Sequence, residues 1–426
     1  MEQTKQHVII IGGGAAGMLA AVHASYQGAR VTLIERNARL GVKVRITGKG
    51  RCNVTNDCDR EEFLKNVPRN PRFLYAPLAR FSTADTMSFF EMLGVPLKVE
   101  RGRRVFPVSD RANDIADALV RHLRDCDVAI RRGTVQSILY GTDSDGKRYV
   151  TGVRCDGEEL SASAVIVATG GKSYPRTGSD GDGYKFARAA GHTVTALSPS
   201  LVPIVEDGAL CKSMQGLSLK NVSLRITEQV GSPDAPKESV IFADFGEMMF
   251  THFGLTGPLV LSASAHLDEF ARGKYTALID LKPALDEKTL DERVQSDFRK
   301  YHNRDLVNAL SDLLPQKLIQ PIIALSQIGE RKKVHEITKE ERTRLVRLLK
   351  GIRVPLKGFR PIDEAIVTRG GVSVKEIDPK TMQSKLVGGL FFAGEVLDLD
   401  AYTGGYNLQI AFSTGVLAGE SASALF

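Results

Sequence analysis

The segment Gly12-x-Gly14-x-x-Gly17 constrains this chain more than any other feature. It follows the run Val8-Ile9-Ile10-Ile11 and precedes an alanine-rich segment, Ala15 to Gln27. The run reads as a buried parallel strand. The segment reads as a helix closed by Gly28. Arg30 to Ile34 reads as a second strand, ending at Glu35. Together these make one βαβ half. In such a unit Gly12 permits the tight turn, Gly14 lets the backbone approach a pyrophosphate, and Gly17 lets helix and strand pack closely. The phosphates sit on free N–H groups at the helix N-terminus. Glu35, 18 residues beyond Gly17, stands where an acidic residue accepts hydrogen bonds from adenosine ribose hydroxyls. A glycine turn kept only for packing does not need Glu35. The pattern predicts a bound dinucleotide.

Three features favour FAD over NAD. The loop after Glu35 is long and basic, as a cradle for an extended pyrophosphate and flavin requires. A further buried strand, Ala164 to Ala168, ends in Thr169-Gly170-Gly171, small residues that let the chain cross near the dinucleotide. A last strand, Leu390 to Ala393, ends in Gly394-Glu395, then turns through Thr403-Gly404-Gly405 into a helix from about Tyr406-Asn407-Leu408. Glu395 is placed to bind ribityl hydroxyls. The helix N-terminus is placed to face the flavin edge where negative charge develops on reduction, a contribution of at most about 2 kcal/mol.

Between these landmarks the texture changes. Pro71–Arg80, Ala84–Leu93 and a segment capped by Asp110 read as helices, and Val128–Arg131, Val135–Leu139 and Arg148–Cys155 as strands. From about Gly191 the chain is mainly β-like, and 286–350 is helical and highly charged. Near Val354 the first texture returns. The expected organisation is a discontinuous dinucleotide-binding domain, 1–193 with 355–426, a mainly β insert at 194–285 and a helical subdomain at 286–354. In the charged helices, i,i+4 pairs such as Glu340–Arg344 are expected on a solvated face.

The run Gly41-Val-Lys43-Val-Arg-Ile-Thr47-Gly48-Lys-Gly50-Arg51-Cys52-Asn53-Val-Thr55-Asn56 resembles a signature of the BaiN/YhiN-type bacterial flavoproteins. Ala168 to Gly183, Thr251-His252-Phe-Gly254-Leu-Thr-Gly257-Pro258, Thr381 to Lys385 and Gly389 to Gly405 resemble further motifs of that family, so the similarity spans the chain. The resemblance implies an α/β fold: a split Rossmann-like FAD-binding domain of glutathione-reductase type, an inserted β-barrel-like domain and a small helical domain. It implies tight, non-covalent FAD. By motif match, Gly14, Ala15, Ala16, Gly17, Glu35, Arg36, Lys43, Gly48, Arg51, Cys52 and Asn53 line the dinucleotide. Val135 meets the adenine, and Glu395, Gly405, Tyr406, Asn407 and Leu408 lie at the flavin end. Gly12, Thr169, Gly170 and Gly394 complete the cofactor set. Family members are linked both to reduction of unsaturated ring carbonyl compounds and to amine oxidation, the latter aminoacetone-oxidase-like. No second GxGxxG exists, so NAD(P)H as reductant would bind transiently without that fingerprint; otherwise O₂ or another carrier reoxidises a flavin reduced by the substrate.

The remaining chemistry-bearing residues signal little. The five cysteines hold no Cys-x-x-Cys pair, which argues against zinc and a disulfide framework and for a reducing, cytoplasmic setting. Cys52 and Cys58 miss the Cys-x4-Cys redox spacing by one residue. His252 is open to a catalytic role or to satisfying a turn. Ser262 and Ser264 show no triad logic, and no metal site is expected. No targeting or membrane segment is read at the N-terminus.

The net charge of +7 is local: residues 30–104 hold 16 basic and 8 acidic groups, whereas the insert 194–355 is nearly balanced. An anionic dinucleotide explains that excess better than a nucleic-acid partner. The expected activity is an FAD-dependent oxidoreductase acting on a small molecule. A tRNA-modifying flavoprotein and a non-enzymatic flavin-binding protein are the alternatives.

Overall fold

The computed structural model describes residues 6–230 and 237–424. Two units divide the chain: Met1–Ser200 with Pro361–Phe426, and Leu201–Arg360. The cuts fall at 200/201 and 360/361, a few residues beyond the sequence boundaries. The short strands Ser198–Ser200 and Val367–Arg369 pair with each other and so belong to the first unit.

The first unit is built on a five-stranded, all-parallel sheet. Its strands are β1 (His7–Ile11), β2 (Arg30–Glu35), β3 (Ala129–Arg132), β4 (Ala164–Val167) and β5 (Leu390–Phe392), in the order β5-β4-β1-β2-β3. The central strands are continuous apolar runs because both faces are covered, as a parallel sheet requires. Every strand points its C-terminal end to the same edge, so the β1, β2, β4 and β5 ends line one rim. Ligands of open α/β sheets bind along such a rim.

Three helices matter there: α1 (Ala15–Tyr26), α2 (Val42–Ile46) and α3 (Tyr406–Ser423). Helix α1 is apolar nearly all round because it is covered by β1 on one side and by α3 on the other. Their contact is backbone-close. A methyl on Gly415 would lie 2.4 Å from the Ala16 carbonyl oxygen, and one on Gly419 would lie 2.2 Å from that of Ala20.

The second unit holds a closed six-stranded antiparallel barrel. Around it run Ile204–Glu206, Gly254–Thr256, Lys237–Phe250, Ser218–Val230, Tyr275–Asp280 and Ile352–Phe359, the last pairing back to the first. Closure removes free strand edges. The helices Glu287–Lys300, Gln316–Ser326 and Lys339–Lys350 share one apolar core with the barrel.

Three local expectations are corrected. Asp110 does not cap the helix Ala112–Asp125. The N-cap position is Arg111, and the Asp110 carboxylate accepts instead from Arg51 and Lys98. The long loop expected after Glu35, a Gly-, Thr- and Asn-rich loop over 41–56, contains the short helix α2 and the strand Thr55–Asn56. Glu340–Arg344 is not formed: Arg344 Nε donates to the Ser326 carbonyl at 2.6 Å, and Lys332 pairs with Glu341 at 2.8 Å.

Candidate dinucleotide site

The three glycines divide their work as their surroundings dictate. Gly12 has φ +105°, and a Cβ there would meet the Ala168 carbonyl oxygen at 2.5 Å. A Cβ on Gly17 would meet the Gly12 carbonyl oxygen at 1.9 Å. Both positions are closed by backbone. Gly14 is different: nothing lies within 4 Å of its missing Cβ, so this face of the turn is open to a ligand. Gly14 is the N-cap of α1 and no side chain caps that helix end, which leaves the N–H groups of Ala15, Ala16 and Gly17 facing the opening.

Glu35 braces the turn from the β2 end. One carboxylate oxygen accepts from Gly13 N at 2.7 Å and the other from Asn37 N at 2.8 Å. An ionised carboxylate offers about four acceptor sites, so capacity remains for ribose hydroxyls. Gly133 N donates to the Glu35 carbonyl at 3.0 Å, which brings Val135, at the start of Val135–Thr142, to the same corner. The Arg36 guanidinium is turned onto Asp180 and Asp182. Asn37 Nδ2 donates to the Thr177 carbonyl at 3.0 Å, so the second motif forms a wall beside Glu35.

At the opposite end of the rim the Gly48–Asn56 segment builds the start of α3. The amide of Asn53, oriented to satisfy its neighbours, donates to the carbonyls of Thr55 (3.0 Å) and Val105 (3.2 Å) and accepts from Gly405 N at 3.0 Å. Asn56 Nδ2 bridges the carbonyls of Gly102 and Gly404, each at 3.0 Å. Thr55 Oγ1 bonds Gln409 Oε1 at 2.6 Å. Gly405 has φ +100°, and a Cβ on it would lie 2.3 Å from the Thr55 carbonyl group, so no side chain fits. The α3 N-terminus carries no side-chain cap. Tyr406 packs edge-to-face on Phe63, and the Asn407 amide ties down the carbonyls of Ala401 and Tyr402, so both fix the turn with their side chains. Leu408 is half-buried beside them.

Arg51 reaches outward from this segment. It pairs with Glu100 and Asp110 and lies over the Phe106 ring, 4.2 Å from its centroid. Cys52 is fully buried with φ +59°, and burial pushes its thiol up to about 12. Cys58 is pushed up to about 11, also by burial first. All five cysteines are free thiols.

Between the two ends lies a polar cluster. Lys43 Nζ donates to Glu395 Oε2 (2.6 Å) and Ser173 Oγ (2.7 Å). Glu395 Oε1 accepts from Ser173 Oγ and from Thr368 N, both at 2.9 Å. Gly394 packs on α1, its missing Cβ 2.8 Å from the Ala16 methyl. Thr169 Oγ1, at the β4 end next to Gly170, is buried and lacks a hydrogen-bond partner among the described residues. Open space at Gly14 and two uncapped helix N-termini lie along one rim, and together they fit a dinucleotide; the Thr169 hydroxyl instead packs on Gly183, whose missing Cβ would lie 2.2 Å from it.

The sequence reading missed Thr368 and Gln409 as members of this rim, and it quoted Thr55, Asn56 and Ser173 only as motif letters. The third motif lies in the second unit. There Thr251, not His252, satisfies the turn: its hydroxyl bonds both the N–H and the carbonyl of Gly254, while His252 is exposed at the tip. Ser264 Oγ accepts from Val202 N and donates to the Leu261 carbonyl, a structural role. Among the described residues no group of His, Cys, Asp and Glu has a metal-binding arrangement, and no helix is long and apolar enough to cross a membrane.

Comparison with known proteins places this geometry. The model of the HI0933-like protein Rossmann domain matches residues 6–421. A 3-dehydro-bile acid delta(4,6)-reductase from Clostridium scindens is 32% identical over 421 residues, 97% of this chain and 98% of that protein. A ribosomal RNA dihydrouridine synthase from Escherichia coli is 32% identical over 412 residues, 95% of each. Among solved structures, a 3-ketosteroid delta1-dehydrogenase from Sterolibacterium denitrificans shares the fold at 13% identity, with a TM-score of 0.50 and coverage of 98% of this chain and 99% of that one. The chain belongs to the HI0933-like family of Rossmann-fold flavoprotein oxidoreductases.

Proposed function

We propose that this protein binds FAD non-covalently along the rim of its parallel sheet and reduces a carbon–carbon double bond conjugated to a ring carbonyl. The observation that carries the cofactor reading is the open face at Gly14, the uncapped N-terminus of α1, on the same rim as the uncapped N-terminus of α3. When bound, FAD supplies the two-electron hydride chemistry. The residues do the rest. The α1 N–H groups and Gly14 hold the pyrophosphate, Glu35 and the Val135 corner hold the adenosine, and the α3 N-terminus stabilises negative charge at the flavin end.

The relatives' names support the reduction over amine oxidation. A delta(4,6)-reductase saturates ring double bonds of a ketosteroid, and a dihydrouridine synthase saturates a uracil ring beside its carbonyl. Both are conjugate reductions. A small enone is our first reading of the substrate. A uracil ring within RNA is the second, favoured by the equal identity of the Escherichia coli relative.

Anaerobic reduction by NADH or NADPH, followed by reoxidation with a panel of ring enones, uridine and ribosomal RNA, tests this directly. Flavin reoxidised by an enone or by RNA, with the saturated product found by mass spectrometry, supports one substrate or the other. Flavin bleached by amines and inert to every enone and RNA overturns the reading.

A further inference from the structure

We propose that Lys43 and Glu395 form a charge pair that sets the midpoint potential of the bound flavin, with Ser173 and Thr368 as positioning residues. The proposal rests on the flavin reading above.

The pair is anchored from behind. Oε1 of Glu395 is filled by Thr368 N and Ser173 Oγ, and Thr368 Oγ1 in turn accepts from the backbone N–H groups of Lys172 (2.7 Å) and Ser173 (3.1 Å). Lys43 spends two of its three N–H donors on Glu395 and Ser173, which leaves one. Its helix starts at the phosphate turn, because Gly41 N donates to the Gly13 carbonyl at 2.8 Å. Glu395 follows Gly394, which sits on Ala16 of α1. The ion pair therefore joins the Gly13 turn to the end of β5.

That is the side of the phosphate turn away from Glu35. A dinucleotide with its adenosine at the β2 end has to continue over β4 and β5. Three strand spacings of about 4.8 Å carry it roughly 14 Å in that direction. The side chains of Lys43 and Glu395 keep 22% and 19% of their exposure, so both charges are partly open rather than sealed in the core. Partly buried ion pairs add little net stability once desolvation is counted. Stability alone is thus a weak reason for a pair at this position.

The sign of its effect follows from charge. Two electrons and one proton leave the isoalloxazine with one additional negative charge. A fixed ammonium favours that state and a fixed carboxylate opposes it. Lys43 raises the potential and Glu395 lowers it.

The test is to load wild type, Lys43→Met, Glu395→Gln, the double variant and Lys43→Arg with FAD. The potential is read by dye-equilibrated reduction and FAD affinity by fluorescence titration. Lys43→Met is expected to shift the oxidised-to-reduced ratio at fixed potential at least tenfold toward oxidised flavin, about 30 mV for a two-electron couple. Glu395→Gln shifts it in the opposite direction, the double variant lies between, and Lys43→Arg keeps the wild-type value. A wild-type potential in both charge-removing variants overturns the proposal, whatever their affinity, and reduces the cluster to a structural tie. So does a fall in Lys43→Arg as large as that in Lys43→Met. Wild-type protein that takes up no FAD defeats the flavin reading itself, which is a separate outcome.

Discussion

At the scale of single residues, the glycine motif separates folding from binding. Gly17 and Gly12 are closed by carbonyl oxygens that cannot move without moving a strand or a helix. Gly14 faces open space. Gly17→Ala is therefore expected to fold poorly or not at all, with soluble yield as the readout. Gly14→Ala is expected to keep the wild-type melting temperature and lose FAD affinity, read by fluorescence titration. Equal melting and equal affinity in Gly14→Ala would remove the phosphates from this turn. Glu35 holds Gly13 N and Asn37 N with its carboxylate and, in the proposed FAD complex, also meets the ribose. Hydrogen bonds to a charged group contribute about 1.5–3 kcal/mol each. Glu35→Ala should weaken FAD at least tenfold and also lower the melting temperature. Unchanged affinity in that variant places the adenosine elsewhere.

At the scale of elements, the α1–α3 contact is the joint that aligns the two uncapped helix ends. Gly415→Ala and Gly419→Ala each drive a methyl into a backbone carbonyl of α1. Each should cost about 1–3 kcal/mol, as overpacking does. The readout is a lower urea midpoint at unchanged slope. A wild-type midpoint would mean that the helices part without penalty. The elements flanking this joint were legible in the sequence because their signals are local: an apolar β-branched run before Gly12, another before Gly394, and small residues along α1. What was not legible depends on partners far away in the chain. Ser173 meets Thr368 across 195 residues and Thr55 meets Gln409 across 354, and no local pattern encodes such pairs. Asp110 looked like a cap because aspartate before a helix satisfies N–H groups. Arg51 and Lys98 claimed its carboxylate instead. The same competition dissolved Glu340–Arg344, since a buried carbonyl at Ser326 offered Arg344 a better-shielded acceptor.

At the scale of the whole molecule, charge that looked free in the sequence is half spent. Of the 16 basic residues in 30–104, eight form ion pairs among the described residues. Titration then falls to groups that burial has moved. The His192 ring is sealed beside Phe392, with Nε2 2.7 Å from Ser384 Oγ and Nδ1 3.1 Å from Glu376. The order serine, histidine, carboxylate mimics a nucleophilic triad. Here, however, Ser384 Oγ also accepts from the N–H groups of Leu386 and Val387 and the ring is out of solvent, so the array staples the 373–390 segment. His23 sits among Phe81, Phe89 and Tyr26 and bonds Glu420 at 3.1 Å. Burial is the largest effect on both rings and holds their pKa below the ordinary value of 6.5. The unfolded chain therefore binds protons near pH 6.5 that the folded chain refuses. Stability from these two sites is complete above pH 6.5 and is lost as pH falls through the depressed folded values. The carboxylates of Glu376 and Glu420, held below 4.5, add to the loss only at still lower pH. Each unit of pH below the unfolded value costs up to about 1.4 kcal/mol per histidine. The melting temperature, followed by circular dichroism, should be level from pH 8 to 7 and fall as pH drops below 6.5. His192→Gln should melt lower at pH 8, because the staple is weakened, and should show a shallower fall, because one proton is no longer linked. An unaltered slope in that variant would mean that His192 is already protonated in the folded protein.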